Sequence, residues 1–512
     1  MRLTSISIAV GLVAASACKK EDKGTSSSTT GSATSGAINE SLPVPQTKKV
    51  VENKPMPPLA ADPGGATGKA QWAAAFGGLG IDAPRGLAIG ADGSAYVGGY
   101  FDTEIDFGGT IGKRTLEAGN DPKAKPSDAY LAKIGPDGKL AWVQTFGASR
   151  DDVINSVAMR GDTVVVAGNF LDTVKFGGLE KKSIGSDDAF IAAFDTSGGI
   201  KWVWNFGGLD SDGANAIAPT PDGGWVFGGS FIDSASFGAT TFKSRGGPDA
   251  MLVKLDGEGK LEWVKQFGGA YAETIQYVAV DGQGNIVVQG VFKDVSDWGG
   301  PQKLTAGGGS DNDVVLAKYD LNGDHIWSQR FGNAFNDVAG GVAIDPAGNI
   351  TMVGSFDRSV SFGEGDEHSS NGEADIFVAR YTPAGKLAWA HTYGAKREDI
   401  AMGVASDAAG NTVTTGWFQD TVDFGGTLLT SKGNKDVFAL KLNAKGDVVW
   451  AQRFGDKDHD QGRALALDDK GAAYVAGIYR FKLDGVSPAP ESVRAQGDRV
   501  PKPDTFVLKL DR

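Results

Sequence analysis

Asp337-Val-Ala-Gly-Gly-Val-Ala-Ile-Asp345, Ile350-Thr-Met-Val-Gly-Ser-Phe356, Asp375-Ile-Phe-Val-Ala-Arg-Tyr381 and Leu387-Ala-Trp389-Ala-His-Thr-Tyr393 make up one copy of a block that recurs seven times between Trp72 and Arg512. Pro-Ala-Gly-Asn joins the first two segments, Ser361-Phe362-Gly363 lies in the link to the third, and Thr-Pro-Ala-Gly-Lys joins the last two. Self-similarity at a fixed period of roughly sixty residues is the signature of a repeat architecture. Within each copy the apolar residues alternate over short runs, as half-buried strands require, and Asp-Gly, Gly-Asn or Gly-Lys turns separate the runs. Each copy therefore predicts four strands, in the fifth about 339–345, 349–356, 375–381 and 386–393. Four-stranded antiparallel units repeated radially are the blades of a β-propeller. The reading is all-β, a single seven-bladed propeller with four-stranded blades over residues 69–512.

The chain ends set the closure. Asp504-Thr-Phe-Val-Leu-Lys-Leu510 matches a third strand with no fourth after it, and Ala70-Gln-Trp72-Ala-Ala-Ala-Phe76 matches a fourth strand with no third before it. The N-terminal strand is expected to complete the last blade, which closes the ring and removes two exposed sheet edges. The fourth strand carries Trp at 72, 142, 202, 263, 327, 389 and 450, with an aromatic four residues later at Phe76, Phe146, Phe206, Phe267, Phe331, Tyr393 and Phe454. A separation of four on a strand puts both rings on one face. Burying such a ring contributes about 1.5–3 kcal/mol, so core packing between blades is preferred to sugar stacking as their role.

The 512 residues carry a formal net charge of −13, with a pI near 4.9. That balance argues against nucleic acid, whose binding needs clustered Lys and Arg, and favours cations or basic partners. The 75 glycines and the lack of long helix-forming stretches agree with many short strands.

Met1-Arg2, then an apolar run from Ile6 to Ala17 ending in small residues, has the form of a secretory signal over residues 1–17 and is too short for a permanent membrane span. The one cysteine, Cys18, follows Ala15-Ser16-Ala17, and this arrangement resembles the lipobox of bacterial lipoproteins, with Ala15 where Leu is usual. The resemblance implies lipidation at Cys18 and, because Lys19 rather than Asp follows, an outer-membrane location. Simple cleavage leaving a free thiol is the alternative. Residues 18–68, rich in Ser, Thr, Gly, Ala and Pro and lacking aromatics, read as a disordered tether with a reach of about 40 Å. Membrane contact is then through the anchor alone, and a monomer is expected.

The run Asp375-Ile-Phe-Val-Ala-Arg-Tyr381, a Gly-Lys hairpin, Trp, an aromatic followed by Gly, then Asp, Gly-Val-Ala-Ile-Asp and Gly-Asn resembles the SBBP repeats of bacterial extracytoplasmic β-propellers, over nearly everything after residue 69. The Gly-Lys-x-x-Trp piece is also similar to PQQ-type propeller repeats, but seven copies and the Asp after aromatic-Gly suit SBBP better. The resemblance implies shape and an extracytoplasmic place, and no particular activity.

Two acidic positions recur. One lies six residues after the aromatic, at Asp82, Asp152, Asp212, Glu273, Asp337, Asp399 and Asp460; the other opens the third strand, at Asp128, Asp188, Asp249, Asp313, Asp375, Asp436 and Asp504. Both sets are expected at one face of the disc. A carboxylate-lined funnel for a divalent cation or basic partner is one reading; the other, favoured by sevenfold recurrence, is a packing device in which each side chain caps a turn or bridges to the next blade. In the last copy Asp456, Asp458 and Asp460 place oxygens at alternate positions, as calcium loops do, which makes calcium a candidate ligand. Longer second-to-third connections in blades one and seven carry Lys113, Arg114, Lys123 and Lys125, and Arg494, Arg499 and Lys502, a candidate basic lip for an envelope protein or polysaccharide. His325, His368, His391 and His459 share no repeat position, and no nucleophile, phosphate-loop or dinucleotide motif is present, so no catalytic residue or cofactor is assigned. The expectation is a membrane-tethered, non-catalytic binding or scaffold module of the cell envelope; the alternative is a propeller hydrolase or lyase acting on glycans through central carboxylates.

Overall fold

The computed structural model describes residues 56–116, 127–148, 150–308, 311–333, 335–487, 490 and 501–512. The signal segment, Cys18, Lys123, Lys125, Arg494 and Arg499 lie outside the described residues, as does most of the tether. No helix occurs among the described residues; they form seven four-stranded antiparallel blades and a set of short hairpins, two of which extend the outer strand of the preceding blade into a six-stranded sheet. Blade 1 consists of Asp82–Ile89, Ala95–Asp102, Ser127–Ile134 and Leu140–Phe146, in that order from inside to outside. Blade 5, at Val338–Ile344, Ile350–Phe356, Asp375–Tyr381 and Leu387–Tyr393, falls within a residue of the strands expected from sequence. Each innermost strand packs against the innermost strands on either side, and Asp82–Ile89 meets Gln461–Leu467, so the ring is closed.

Closure takes the form the two chain ends suggested. Ala70–Phe76 pairs antiparallel with Asp504–Leu510 as the outer strand of blade 7. The seam reproduces a turn without a covalent link. In the third-to-fourth turns of blades 2, 3 and 4 an Asp binds the N–H groups two and four residues on, as Asp256 does with Glu258 at 3.0 Å and Lys260 at 2.8 Å. At the seam Asp511 accepts from Thr67 N–H at 3.3 Å and Lys69 N–H at 3.0 Å, while its own N–H donates to Lys69 C=O at 2.9 Å. Residues 56–68, which composition placed in the tether, lie against blades 5 and 6: Ala60 N–H donates to Ala408 C=O at 2.8 Å, and Gln452 Nε2 donates to Thr67 C=O at 2.9 Å.

The blades interlock through their aromatics. Six of the seven fourth-strand rings meet a ring of the following blade, among them Phe76–Phe107 at 5.1 Å, Phe146–Phe176 at 5.0 Å, Phe206–Phe237 at 4.6 Å and Phe267–Trp298 at 5.6 Å between centroids, while Phe454 packs in one cluster with Leu483 of blade 7. The fourth-strand tryptophans reach the following blade's third-to-fourth turn, where Trp72, Trp142 and Trp263 donate to the carbonyls of Pro136, Thr196 and Leu321 at 3.0–3.2 Å. The turn glycine lies flat on the indole; a Cβ on Gly259, whose φ is +81°, would sit 2.6 Å from Trp202. Gly68 plays that part for Trp450 at the seam.

One element was not legible in the repeat. In six blades the second-to-third connection folds into its own two-stranded hairpin, such as Thr173–Phe176 with Leu179–Lys182, and this hairpin carries the interlocking Phe176. A residue in the left-handed region redirects the chain at its start in every blade: Thr103, Asp172, Asp233, Asp294, Arg358, Asp420 and Phe481. Deleting residues 69–78 removes the outer strand of blade 7 together with Phe76, and should replace a cooperative melt with aggregation; a truncated chain that melts as the full one does would contradict this closure.

Candidate functional site

The fourteen recurrent carboxylates do gather at one end of the blades, but inside the wall. None is more than 3% exposed, so they do not face an open funnel. They meet across the blade boundaries. Asp82 of blade 1 lies beside Asp504 of blade 7, Asp152 beside Asp128, Asp212 beside Asp188, and Asp460 beside Asp436. The backbone closes the same boundaries, since the N–H groups of Asp152, Asp212, Glu273 and Asp460 donate to Ser127, Asp187, Pro248 and Lys435 carbonyls of the preceding blade at 2.7–2.8 Å. Carboxylates of the first set also collect backbone donors: Asp152 accepts from Ala148 at 2.8 Å and Leu171 at 3.2 Å, Asp212 from Gly208 at 2.7 Å and Ile232 at 3.1 Å, and Asp399 from Ala395 at 2.8 Å and Gln419 at 2.7 Å. The glycine after each fourth-strand aromatic makes room, because a Cβ on Gly207 or Gly394 would lie 2.3 Å from the Asp188 or Asp375 carboxylate. Arg330 and Arg453 add charge-assisted bonds to Asp313 at 2.8 Å and Asp436 at 2.5 Å.

Burial, with the facing carboxylate adding to it, raises the pKa of every member of the first set. Burial first, then Asp504, pushes Asp82 up to about 9; burial is also the leading cause that raises Asp152, Asp212, Glu273, Asp337 and Asp460 to about 8 and Asp399 to about 7.

The other expected site residues are dispersed. Asp460 accepts the Asp456 and Arg480 N–H groups, each at 2.9 Å, Asp458 turns to His459 at 2.5 Å and Arg480 at 3.4 Å, and Asp456 accepts the Lys457 N–H. Among the described residues no group of three or more His, Cys, Asp or Glu is arranged to hold a metal ion. Lys113 pairs with Glu104 at 2.8 Å, Arg114 donates to Ile111 C=O at 2.8 Å, and Lys502 is exposed.

Sequence comparison of the copies missed two features. The third strand carries a buried or half-buried cation that pairs with the Asp of its own first hairpin at the opposite end of the blade: Lys254–Asp222 at 2.9 Å, Lys441–Asp407 at 3.4 Å, Lys509–Asp468 at 3.6 Å, and Arg380 with Asp345. Blade 2 has Ala193 at that place and a shorter Gly161-Asp162 turn, so both partners are lost together. The second feature is a β-bulge in every innermost strand, which leaves one unpaired residue at the wall of the axial channel: Arg85, Asn155, Asn215, Gln276, Gly340, Met402 and Arg463. Packing positions repeat around the ring, whereas this position carries five residue types in seven blades. Side chains here link neighbouring blades, with Arg85 Nη1 donating to Asn155 Oδ1 at 2.9 Å, Asn155 Nδ2 to Ala214 C=O at 3.1 Å and Asn215 Nδ2 to Ile275 C=O at 2.9 Å. The signal available in the sequence was the residue before Gly86, Ser156, Ala216, Tyr277, Gly341, Gly403 and Ala464, a variable place inside an otherwise regular run. The axial channel is the candidate site.

No family model matches the chain. It is 19% identical over 399 residues to the uncharacterized WD repeat-containing protein L264 of Acanthamoeba polyphaga mimivirus, covering 70% of this chain and 26% of that protein. It is 30% identical over 216 residues to the regulatory protein FlaEY of Caulobacter vibrioides, covering 40% of this chain and 22% of that protein. The chain thus spans about a quarter of the length of these curated relatives. Among solved structures it is similar to the WD40 propeller domain of Doa1, at a TM-score of 0.40 and 9% identity, covering 86% of this chain and 98% of that one. YCF48 bound to D1 peptide aligns at a TM-score of 0.37 and 10% identity, over 88% of this chain and 100% of that one.

The raised carboxyl pKa values fix the sign of the pH dependence. A carboxyl that binds its proton more tightly when folded adds stability that is fully present below the ordinary carboxylate range and is lost as pH rises through its folded pKa. Exposed Asp137 and Asp162, held low by Lys139 and Lys201, act in the other direction but are solvated. The melting midpoint should therefore fall by about 5 °C or more between pH 5 and pH 9, followed by calorimetry. Glu273→Gln, which removes one ionisation, should flatten that slope, whereas Asp152→Ala, which strips two backbone donors of their acceptor, should cost about 1–3 kcal/mol at every pH. A midpoint that rises with pH would contradict the assignment.

Proposed function

We propose that the protein is a lipid-tethered, extracytoplasmic propeller of the SBBP kind that binds a partner of the cell envelope and does not itself catalyse a reaction. One observation carries the binding reading: the groups best suited to acid–base chemistry, the fourteen recurrent carboxylates, are withdrawn into blade boundaries, while the position that varies from blade to blade lies on the innermost strand, which borders the channel. The Met1–Cys18 pattern and Lys19 support an outer-membrane anchor, and the basic residues of the long blade 1 and blade 7 loops, Lys113, Arg114 and Lys502 among them, support a protein or polysaccharide partner.

The whole chain, expressed in a two-membrane bacterium, should take up an alkyne-labelled fatty acid and sediment with the outer membrane, and Cys18→Ser should abolish both. In the same preparations, envelope polysaccharides should be retained without new reducing ends or unsaturated products, and neutralising Lys113, Arg114 and Lys502 should weaken retention in graded steps. Cleavage products that vanish on exchanging one channel-end carboxylate for its amide would instead establish the glycan hydrolase or lyase reading.

A further inference from the structure

Two arginines come together on the innermost strands of a chain whose net charge is −13. Arg85 and Arg463 occupy the bulge of the innermost strands of blades 1 and 7, which pack against each other across the ring closure. Both side chains are half-buried. Arg85 donates to the Asn155 amide oxygen at 2.9 Å and lies 5.2 Å from the Tyr100 ring centroid, and Arg463 donates to Gln461 Oε1 at 3.2 Å. Among the described residues neither guanidinium has a carboxylate partner, although an Asp pairs with each of Arg330, Arg380 and Arg453 elsewhere. Burial, with Arg85 as a second cause, lowers the Arg463 pKa, while the Tyr100 hydroxyl beside it acts the other way. Arg85 is also felt by Tyr277, on blade 4 across the axis, whose hydroxyl burial pushes up to about 12 and so keeps as a donor. Two confined cations of like sign are costly to hold together without an anion between or beside them. A guanidinium presents paired N–H donors that fit a planar or tetrahedral oxyanion better than a point charge does.

We infer that the axial channel binds a small oxyanion, a phosphoryl or carboxylate group, at the Arg85 and Arg463 guanidiniums, with the amide of Asn155 and the hydroxyls of Tyr100 and Tyr277 as the neutral donors around it. The site is one-sided. The bulge residues of blades 5 and 6 are Gly340 and Met402, which offer an anion nothing, so the oxyanion end of a ligand sits toward blades 7, 1 and 2 and any apolar remainder toward blades 5 and 6. This gives a ligand class to the binding module proposed above and rests on that reading only in treating the protein as a binder.

The test is calorimetric titration of the whole chain with inorganic phosphate and, separately, with acetate, at constant ionic strength made up with chloride. Saturable binding of either anion supports the site, and the tighter of the two says whether the group is phosphoryl or carboxylate. Arg85→Gln and Arg463→Gln should each weaken binding at least about tenfold, and Arg463→Lys, which keeps charge but loses the paired donors, should fall between. Melting supplies a second readout that a purely structural role would not give: without anion Arg463→Gln should melt at or above the wild type, and phosphate should raise the midpoint of the wild type alone. Equal heats in wild type and both Gln variants, or an Arg463→Gln chain that melts lower while phosphate leaves the wild type unmoved, would overturn the inference. Neither result would alter the fatty-acid labelling at Cys18, so failure here and failure of the tether are told apart.

Discussion

A blade of this molecule cannot bury its own outer face, and the contact that relieves this is the fourth-strand pair, Trp and an aromatic four residues later, laid against the next blade. The indole covers a turn glycine and donates to a turn carbonyl; the second ring meets the ring carried by the short hairpin. Because each blade completes its neighbour, the stability of the ring resides in its boundaries, and an open end would leave both a sheet edge and an aromatic face in water. The seam at blade 7 therefore rebuilds not only the missing strand but the turn as well, with Gly68 under Trp450 and Asp511 binding Thr67 and Lys69.

The same boundary explains why acidic residues recur in a wall that is otherwise apolar. Each carboxylate of the first set ties the start of one blade to its neighbourhood through backbone donors, and it faces a carboxyl from the blade before. Burial that would be ruinous for two ions is tolerable when one partner keeps its proton or a guanidinium intervenes, as Arg330 and Arg453 do. Chemistry needing free carboxylates is ill served by such an arrangement. What varies between blades is concentrated at the innermost strand, where the bulge leaves one residue per blade out of the ladder.

The ring, its blade count and its closure were legible because Trp72 to Trp450 and their aromatic partners recur at nearly constant spacing, and strand pairing follows from alternation. The second-to-third hairpins were not, because strands of about four residues such as Thr173–Phe176 carry too few alternations to distinguish them from a loop. Recurrence marked the fourteen carboxylates but could not say that they point into the wall, since a repeated Asp looks the same in sequence whether it caps a neighbour or lines a funnel. The channel residues were hidden for a related reason: a bulge shifts the facing of Arg85 and Arg463 by one residue, so simple alternation assigns them to the wrong side.

The division between repeated positions that hold the ring and one variable position that serves the channel is tested most directly by making that position uniform. In a chain carrying Arg85→Asn, Gln276→Asn, Met402→Asn and Arg463→Asn, the residue already present at 155 and 215 would occupy six of the seven bulges. Differential scanning calorimetry should show one cooperative transition within about 3 °C of the wild type or above it, because the Trp and aromatic pairs and the buried carboxylates of the blade boundaries are untouched and the Arg85–Asn155 link given up is a half-buried hydrogen bond. A broadened transition, or a midpoint many degrees lower, would mean that the channel residues hold the ring together, and would contradict the account.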